Sequence, residues 1–353
     1  MAGVTIYQVA REAGVSPSTV SNLLNGRTGK MLPETRSRVE SAIRRLGYRP
    51  NRAAQQLRTG RIQMLGLIVP SVANPFWGTF ARHLEAAALA EGFYMLLCNS
   101  ERDPDRERRY VEELWGDGIG GVVLCSSLPS LDHVKPTVEA GLGLVAFDRT
   151  AQPGDPHRVV NIGTDNVLGM RLATEHLLEL GHTRLAFVSG SIGSVNRAER
   201  YSGFRQALDS AGLPRSAGLV WSGADTVDFD DRDTAELGRV AAREILSVPR
   251  PPTGIVAIND MCALGIIAGA REAGLVVGRD VSVVGYDDIM LAGMAMPALT
   301  TVRQPVAKMA ATAFARLRQV MDGDSGDAGH SILHRPTLVV RESTAAPFTP
   351  PAA

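Results

Sequence analysis

Apolar positions recur with helical spacing at the start of the chain. Ile6, Val9, Ala10 and Ala13 form one stripe, and Val20, Leu23 and Leu24 form a second. Gly14 between them permits a turn that a residue with a Cβ resists. Ser16 reads as an N-cap and Pro17 as the first helical residue, where a missing N–H costs nothing. Ser18, Ser21 and Asn22 are small and polar and are left on the outer face of the second helix. A third helix runs from about Pro33 to Leu46, with Val39, Ala42, Ile43 and Leu46 inward and Gly47 as its stop. This pattern predicts a helix-turn-helix headpiece whose second helix has the shape to enter a DNA major groove. Taken alone, it also fits two surface helices of an ordinary domain.

From Met64 the pattern changes. Short apolar runs at Met64–Pro70, Tyr94–Cys98, Gly121–Cys125 and Leu144–Asp148 are separated by helical stretches. These stretches are Phe76–Glu91, Asp103–Trp115 and Leu131–Ala140. The alternation then repeats, with strands at Val159–Ile162, Arg184–Val188, Leu219–Trp221, Ile255–Ile258 and Val281–Val284. Helices are predicted at Val167–Leu180, Arg197–Ala211, Asp230–Leu246 and Cys262–Ala273. Such alternation predicts parallel sheets covered on both faces. Two like-built halves predict two α/β lobes, with a ligand cleft at the carboxyl ends of the strands. No apolar run reaches the length of a membrane span, and no charged-then-apolar signal segment opens the chain. The expectation is a soluble, cytoplasmic protein.

Composition sharpens this picture in one respect. Formal net charge is zero over 353 residues, yet residues 1–60 hold ten Lys/Arg against three Asp/Glu. A basic head on an acidic body suits a protein that grips phosphates at one end only. Cys98, Cys125 and Cys262 are scattered through apolar runs and read as thiols of a reducing compartment, not a disulfide framework.

Between head and body lies Tyr48-Arg49-Pro50-Asn51-Arg52-Ala53-Ala54-Gln55-Gln56-Leu57-Arg58. Residues 53–57 favour helix, but one so short is marginal in isolation. A linker that folds only when docked would let Leu57 wedge into a minor groove and open a base step. The plainer reading is a solvated connector. Residues 4–58 resemble the headpiece and hinge of the LacI/GalR family of bacterial transcription regulators. The resemblance rests on Tyr7, Ala10, Gly14-Val15-Ser16, Thr19-Val20-Ser21, Asn25, Thr35-Arg36, Gly47–Asn51 and Ala54–Leu57. Residues 62–344 resemble that family's effector domain, through Asn74-Pro75-Phe76, Phe147-Asp148-Arg149, Arg200 to Phe204, Asn259-Asp260 and Val284–Asp288.

The resemblance implies an α/β fold: a helix-turn-helix headpiece (1–49), a hinge helix or linker (50–61), and a two-lobed periplasmic-binding-protein-like domain of parallel sheets (62–344). Lobe 1 takes about 62–163 and 304–332, and lobe 2 about 164–303 and 333–344. The Ala/Pro-rich tail, 345–353, reads as disordered and carries no heptads. The resemblance also implies a homodimer on a near-palindromic double-stranded operator. Pro17, Ser18 and Asn22 would read base edges. Thr5, Tyr7, Ser16, Thr19, Ser21 and Asn25 would hold phosphates, with Asn51, Ala54 and Leu57 in the hinge. Position 22 is Asn where relatives frequently carry Arg, which favours adenine over guanine. The loop Arg27–Lys30 is about one residue longer than in some relatives.

For the cleft, the resemblance points to Phe76, Asp148, Arg149, Arg200, Asn259 and Asp287. Carboxylates, an amide, forked arginines and an aromatic face suit a sugar effector. The arginines equally suit a nucleobase or an acidic metabolite. Asp148-Arg149 would alternatively be a lobe-stabilising ion pair, Asn259 a helix cap and Phe76 core. No catalytic constellation, cofactor or metal site emerges. Gly323-Asp324-Ser325-Gly326 has no partner His and Asp and reads as a turn, and the seven His form no ligand cluster. The expectation is a regulator and not an enzyme.

Overall fold

The computed structural model describes residues 4–24, 28–29, 31–48, 63–126, 128–223, 234–324 and 330–347. The chain divides into two compact units, Met1–Ile62 and Gln63–Ala353.

In the first unit, α1 (Ile6–Ala13), α2 (Pro17–Leu24) and α3 (Pro33–Leu46) enclose a small core of Val9, Ala10, Ala13, Val20, Val39 and Ala42. Gly14 ends α1 with a left-handed φ of 62°, and nothing crowds the space a Cβ would take. Backbone conformation, not room, therefore demands glycine there. Glu12 on α1 pairs with Arg45 on α3 and ties the first helix to the third. One expectation is corrected. Ser21 is not left outside but is buried, only 7 % exposed.

The second unit holds two six-stranded sheets. The first contains β1 (Met64–Val69), β2 (Tyr94–Asn99), β3 (Gly121–Leu124), β4 (Gly143–Phe147), β5 (Val160–Thr164) and β11 (Ser331–His334), in the order β11-β5-β4-β3-β1-β2. The second contains β6 (Leu185–Val188), β7 (Gly218–Trp221), β8 (Gly254–Ala257), β9 (Ser282–Asp287), β10 (Thr300–Arg303) and β12 (Thr337–Val339), in the order β12-β10-β9-β8-β6-β7. All neighbours are parallel except β12, which runs antiparallel to β10. Strands β1, β3, β4, β6, β8 and β9 are buried almost end to end, as strands covered by helices on both faces must be.

The covering helices of the first lobe are α4 (Pro75–Ala90), α5 (Pro104–Gly116), α6 (Lys135–Glu139) and α12 (Val306–Met321). Those of the second are α7 (Asn166–Glu179), α8 (Val195–Ser210), α9 (Thr234–Leu246), α10 (Asp260–Glu272) and the short α11 (Met290–Met294). Helix α6 is shorter than the expected Leu131–Ala140. Pro136 has no N–H and fits only a first helical turn, so the helix begins at Lys135 and residues 131–134 form a turn instead.

The chain passes between sheets after β5, after β10 and after β11. The third passage is displaced from the expected position near 332. Ser331–His334 pairs in parallel with Asn161–Thr164, so β11 still belongs to the first sheet and the crossing falls between His334 and Thr337. The tail is also held further than expected. The Ala345 carbonyl accepts from His182 Nε2 at 2.8 Å, and the Ala345 N–H donates to Ser282 Oγ at 3.0 Å. Residues 348–353 lie outside the described residues. Cys125 and Cys262 are buried, Cys98 is half-buried, and all three are free thiols. No helix among the described residues is long and apolar enough to cross a membrane.

Candidate DNA-reading head and effector cleft

The start of α2 is organised by Ser16. Its Oγ accepts from the Thr19 N–H at 3.2 Å and lies 2.7 Å from Ser18 Oγ and 2.9 Å from Thr19 Oγ1. Pro17 follows as the first helical residue. Ser16, Ser18 and Asn22 are exposed, and Pro17 and Thr19 are half-buried. Tyr7 stands out from α1 with 69 % of its surface in solvent. Thr5 caps α1: its N–H donates to Gln8 Oε1 at 2.7 Å, so it serves the helix whatever else it contacts. The buried Ser21 does not share the exposed face. Asn25, Asn51, Ala54 and Leu57 lie outside the described residues, as do the hinge 50–61 and Arg27 and Lys30 of the basic loop.

In the second unit, a narrow cleft with about 30 Å³ of free space opens between the two sheets at their carboxyl ends. Five of the six expected residues line it: Phe76, Asp148, Arg200, Asn259 and Asp287. Each has a local reason to be there. Asn74 caps α4 by accepting the Phe76 N–H at 3.0 Å, and Pro75 takes the first helical place. This sets Phe76 at the cleft with Trp77 packed edge-on at 4.9 Å. Asp148 leaves β4 with φ of 63° and Asp287 ends β9 with φ of 120°. Such strained carboxylates persist where the surroundings over-determine them, typically at binding sites. Asn259 caps α10, accepting the Cys262 N–H at 2.9 Å while it lines the cleft, so the cap reading and the cleft reading both hold locally.

Arg149 departs from expectation. Its guanidinium is fully buried, does not line the cleft, and pairs with Asp155 at 3.0 Å and 3.1 Å, not with Asp148. The left-handed turn at Asp148 sends the two neighbours to different places. Burial lowers the Arg149 pKa, and Asp155 opposes that shift.

The electrostatics of the cleft are layered. Burial pushes the Asp148 carboxyl up, against the pull of Arg200 and of the Asn196 amide that donates to it at 2.5 Å. Arg200 donates from Nη1 to the Ile258 carbonyl at 2.7 Å and lies 3.8 Å over the Tyr286 ring. Asp287 Oδ1 accepts from Gln304 Nε2 at 2.7 Å, and Gln304 Oε1 accepts from Thr164 Oγ1 at 2.6 Å. Behind Asp287 sits Asp260, driven well above the usual carboxylate range by burial and by Asp287 itself. It fits only because residue 285 is glycine: a Cβ there would come within 2.2 Å of Asp260 Oδ1.

The structure adds Asn74, Trp77, Arg102, Asn196, Arg197 and Gln304 to the lining. Asn196 and Arg197 precede Arg200 by four and three residues on α8. One helical face therefore carries all three, a spacing the sequence displays. Gln304 directly follows the crossover expected at 303/304, but no local pattern marks it as a lining residue. Arg102 has φ of 56° in the loop after β2, also invisible in the sequence. The assembled cleft offers an aromatic platform, amides that both donate and accept, two carboxylates and three guanidinium groups. Those groups are the hydrogen-bonding and stacking partners that a small polyhydroxylated ring requires.

Residues 5–51 match the model of bacterial regulatory proteins of the lacI family, and residues 174–344 that of the periplasmic binding protein-like domain. The chain is 35% identical over 347 residues to the HTH-type transcriptional regulator DegA of Bacillus subtilis, covering 96% of this chain and 98% of the relative. It resembles the lac repressor dimer bound to operator and the anti-inducer ONPF, with a TM-score of 0.82, 27% identity, and coverage of 98% of this chain and 100% of that one. It also resembles a LacI family transcriptional regulator from Enterococcus faecium with bound ribose, with a TM-score of 0.70, 27% identity, and coverage of 80% and 99%.

Proposed function

The chain belongs to the lacI family of bacterial regulatory proteins and is a ligand-responsive transcriptional regulator, not an enzyme; from that premise we propose that it is a repressor controlled by a small sugar. In this reading it binds a near-palindromic operator as a homodimer. Pro17, Ser18 and Asn22 read base edges, and Thr5, Tyr7, Ser16 and Thr19 hold phosphates. The hinge 50–61 folds on the DNA with Leu57 as its wedge. The buried Ser21 supports α2 from behind in place of a phosphate contact. The observation that carries the reading is one chain combining the exposed face of α2 with a polar cleft between two sheets.

Phe76 and Trp77 offer a face to a sugar ring, and Asp148, Asn259, Asp287 and Gln304 meet its hydroxyls. The ribose in the Enterococcus faecium relative makes D-ribose the first probe. A second reading, an acidic metabolite, is favoured by three arginines facing two carboxylates in the cleft, and D-ribose 5-phosphate is its probe. An effector that moves one lobe against the other need supply only about 1–3 kcal/mol of coupling to change operator affinity roughly 5–150-fold.

The test is selection of bound duplexes from a random pool by the purified full chain at physiological salt, with and without each probe. The reading predicts enrichment of a palindrome with a central pyrimidine–purine step, lost in Leu57→Ala. No enrichment under any of these conditions contradicts it.

A further inference from the structure

The lobes are joined beside the cleft by side chains outside its lining. Thr150 lies in the loop between β4 and β5 of the first sheet, and Glu199 lies on α8 of the second lobe. Thr150 Oγ1 donates to Glu199 Oε1 at 2.5 Å. The other carboxylate oxygen, Oε2, accepts from Asn166 Nδ2 at 2.9 Å. Asn166 Oδ1 then accepts from Arg200 Nε at 2.9 Å and from the Tyr286 hydroxyl at 3.2 Å. The chain of bonds runs from the first lobe to the arginine that faces the ligand.

We propose that Glu199 is a positioning residue that couples lobe closure to the aim of Arg200. A carboxylate can only accept, so Glu199 compels Asn166 to present its NH2 and therefore to turn its oxygen toward Arg200. A reversed Asn166 amide would set its donors against the guanidinium. Thr150 is the one member of the relay from the opposite lobe. Its bond exists when the lobes are together and is replaced by water when they part. The bond favours the form in which the lobes are together, and in that form Arg200 is held by Asn166.

This inference rests on the reading of the cleft as the effector site, yet its test does not depend on which effector is right. Spin labels at Glu139 and Asp209, one exposed position in each lobe, report the interlobe distance by pulsed electron resonance in the full chain. The background is Cys98→Ser, because Cys125 and Cys262 are buried. Labelled chain is diluted into unlabelled chain, so that one labelled protomer is read at a time. Without ligand, Thr150→Val and Glu199→Ala gain a longer-distance population, whereas Thr150→Ser, which keeps the hydroxyl, retains the short one. D-ribose affinity falls roughly tenfold in the first two, the weight of one hydrogen bond to a charged group, and recovers in the third.

An unchanged distance in both Thr150→Val and Glu199→Ala overturns the proposal, and so does equal opening in Thr150→Ser and Thr150→Val. Failure of D-ribose to bind even the unmodified chain counts against the sugar reading alone, because the distances still decide the relay.

Discussion

Replacing Thr164 with Val removes one hydroxyl and keeps the side chain's shape. Thr164 ends β5 and is fully buried. Its Oγ1 donates to Gln304 Oε1 at 2.6 Å, with Met309 Sδ also in reach at 3.3 Å. Gln304 passes the interaction on, donating from Nε2 to Asp287 Oδ1 at 2.7 Å. The hydroxyl therefore sets the direction of the amide. Reversed, Gln304 would place an acceptor against the Asp287 carboxylate. Valine leaves Oε1 buried without its donor, at a cost of about 1–3 kcal/mol. For a unit of this size each kcal/mol moves the melting temperature by roughly 2–4 °C, so a fall of about 2–12 °C is expected by scanning calorimetry. The freed amide also stops fixing Asp287, and D-ribose affinity by titration calorimetry falls by a comparable 5–150-fold. Thr164→Ser restores both. A Val variant that melts and binds like the unmodified chain would refute the relay from crossover to cleft.

Other expectations follow from single features. Gly14→Ala must hold alanine at φ of 62° with no steric clash, so the head loses about 1–2 kcal/mol, read by thermal unfolding of the headpiece signal. Asn22→Arg shifts the selected half-site from adenine toward guanine at one position, read by repeating the duplex selection. Burial lowers the pKa of His182, His176 and His334 below the usual 6.5. The unfolded chain thus binds protons that the folded chain refuses. Stability is complete above pH 6.5 and declines as pH falls through the depressed values, and His182→Asn flattens part of that slope in denaturant titrations.

The alternation of strand and helix and a cleft between lobes were legible because they follow from periodicity, whereas the five lining residues named in advance came from the family resemblance. The failures have local causes. Ser21 looks like a surface residue by chemistry, but its place beside Val20 on α2 buries it, since a small hydroxyl costs little inside when bonded. Arg149 adjoins Asp148 in sequence, yet the left-handed backbone at Asp148 parts their side chains. Pro136 sits within an apolar stretch that reads as one helix, and the pyrrolidine decides where it starts. Gln304, Thr164 and β11 depend on which strands become neighbours, and that is a property of the sheet and not of any local window.

The most direct test of the account is operator affinity measured with and without the sugar that calorimetry shows to bind, in the unmodified chain and in Arg200→Ala. In the unmodified chain the expected change is roughly 5–150-fold. No sugar-dependent change is expected in Arg200→Ala. A sugar that occupies the cleft of the unmodified chain and leaves operator affinity untouched would contradict the account.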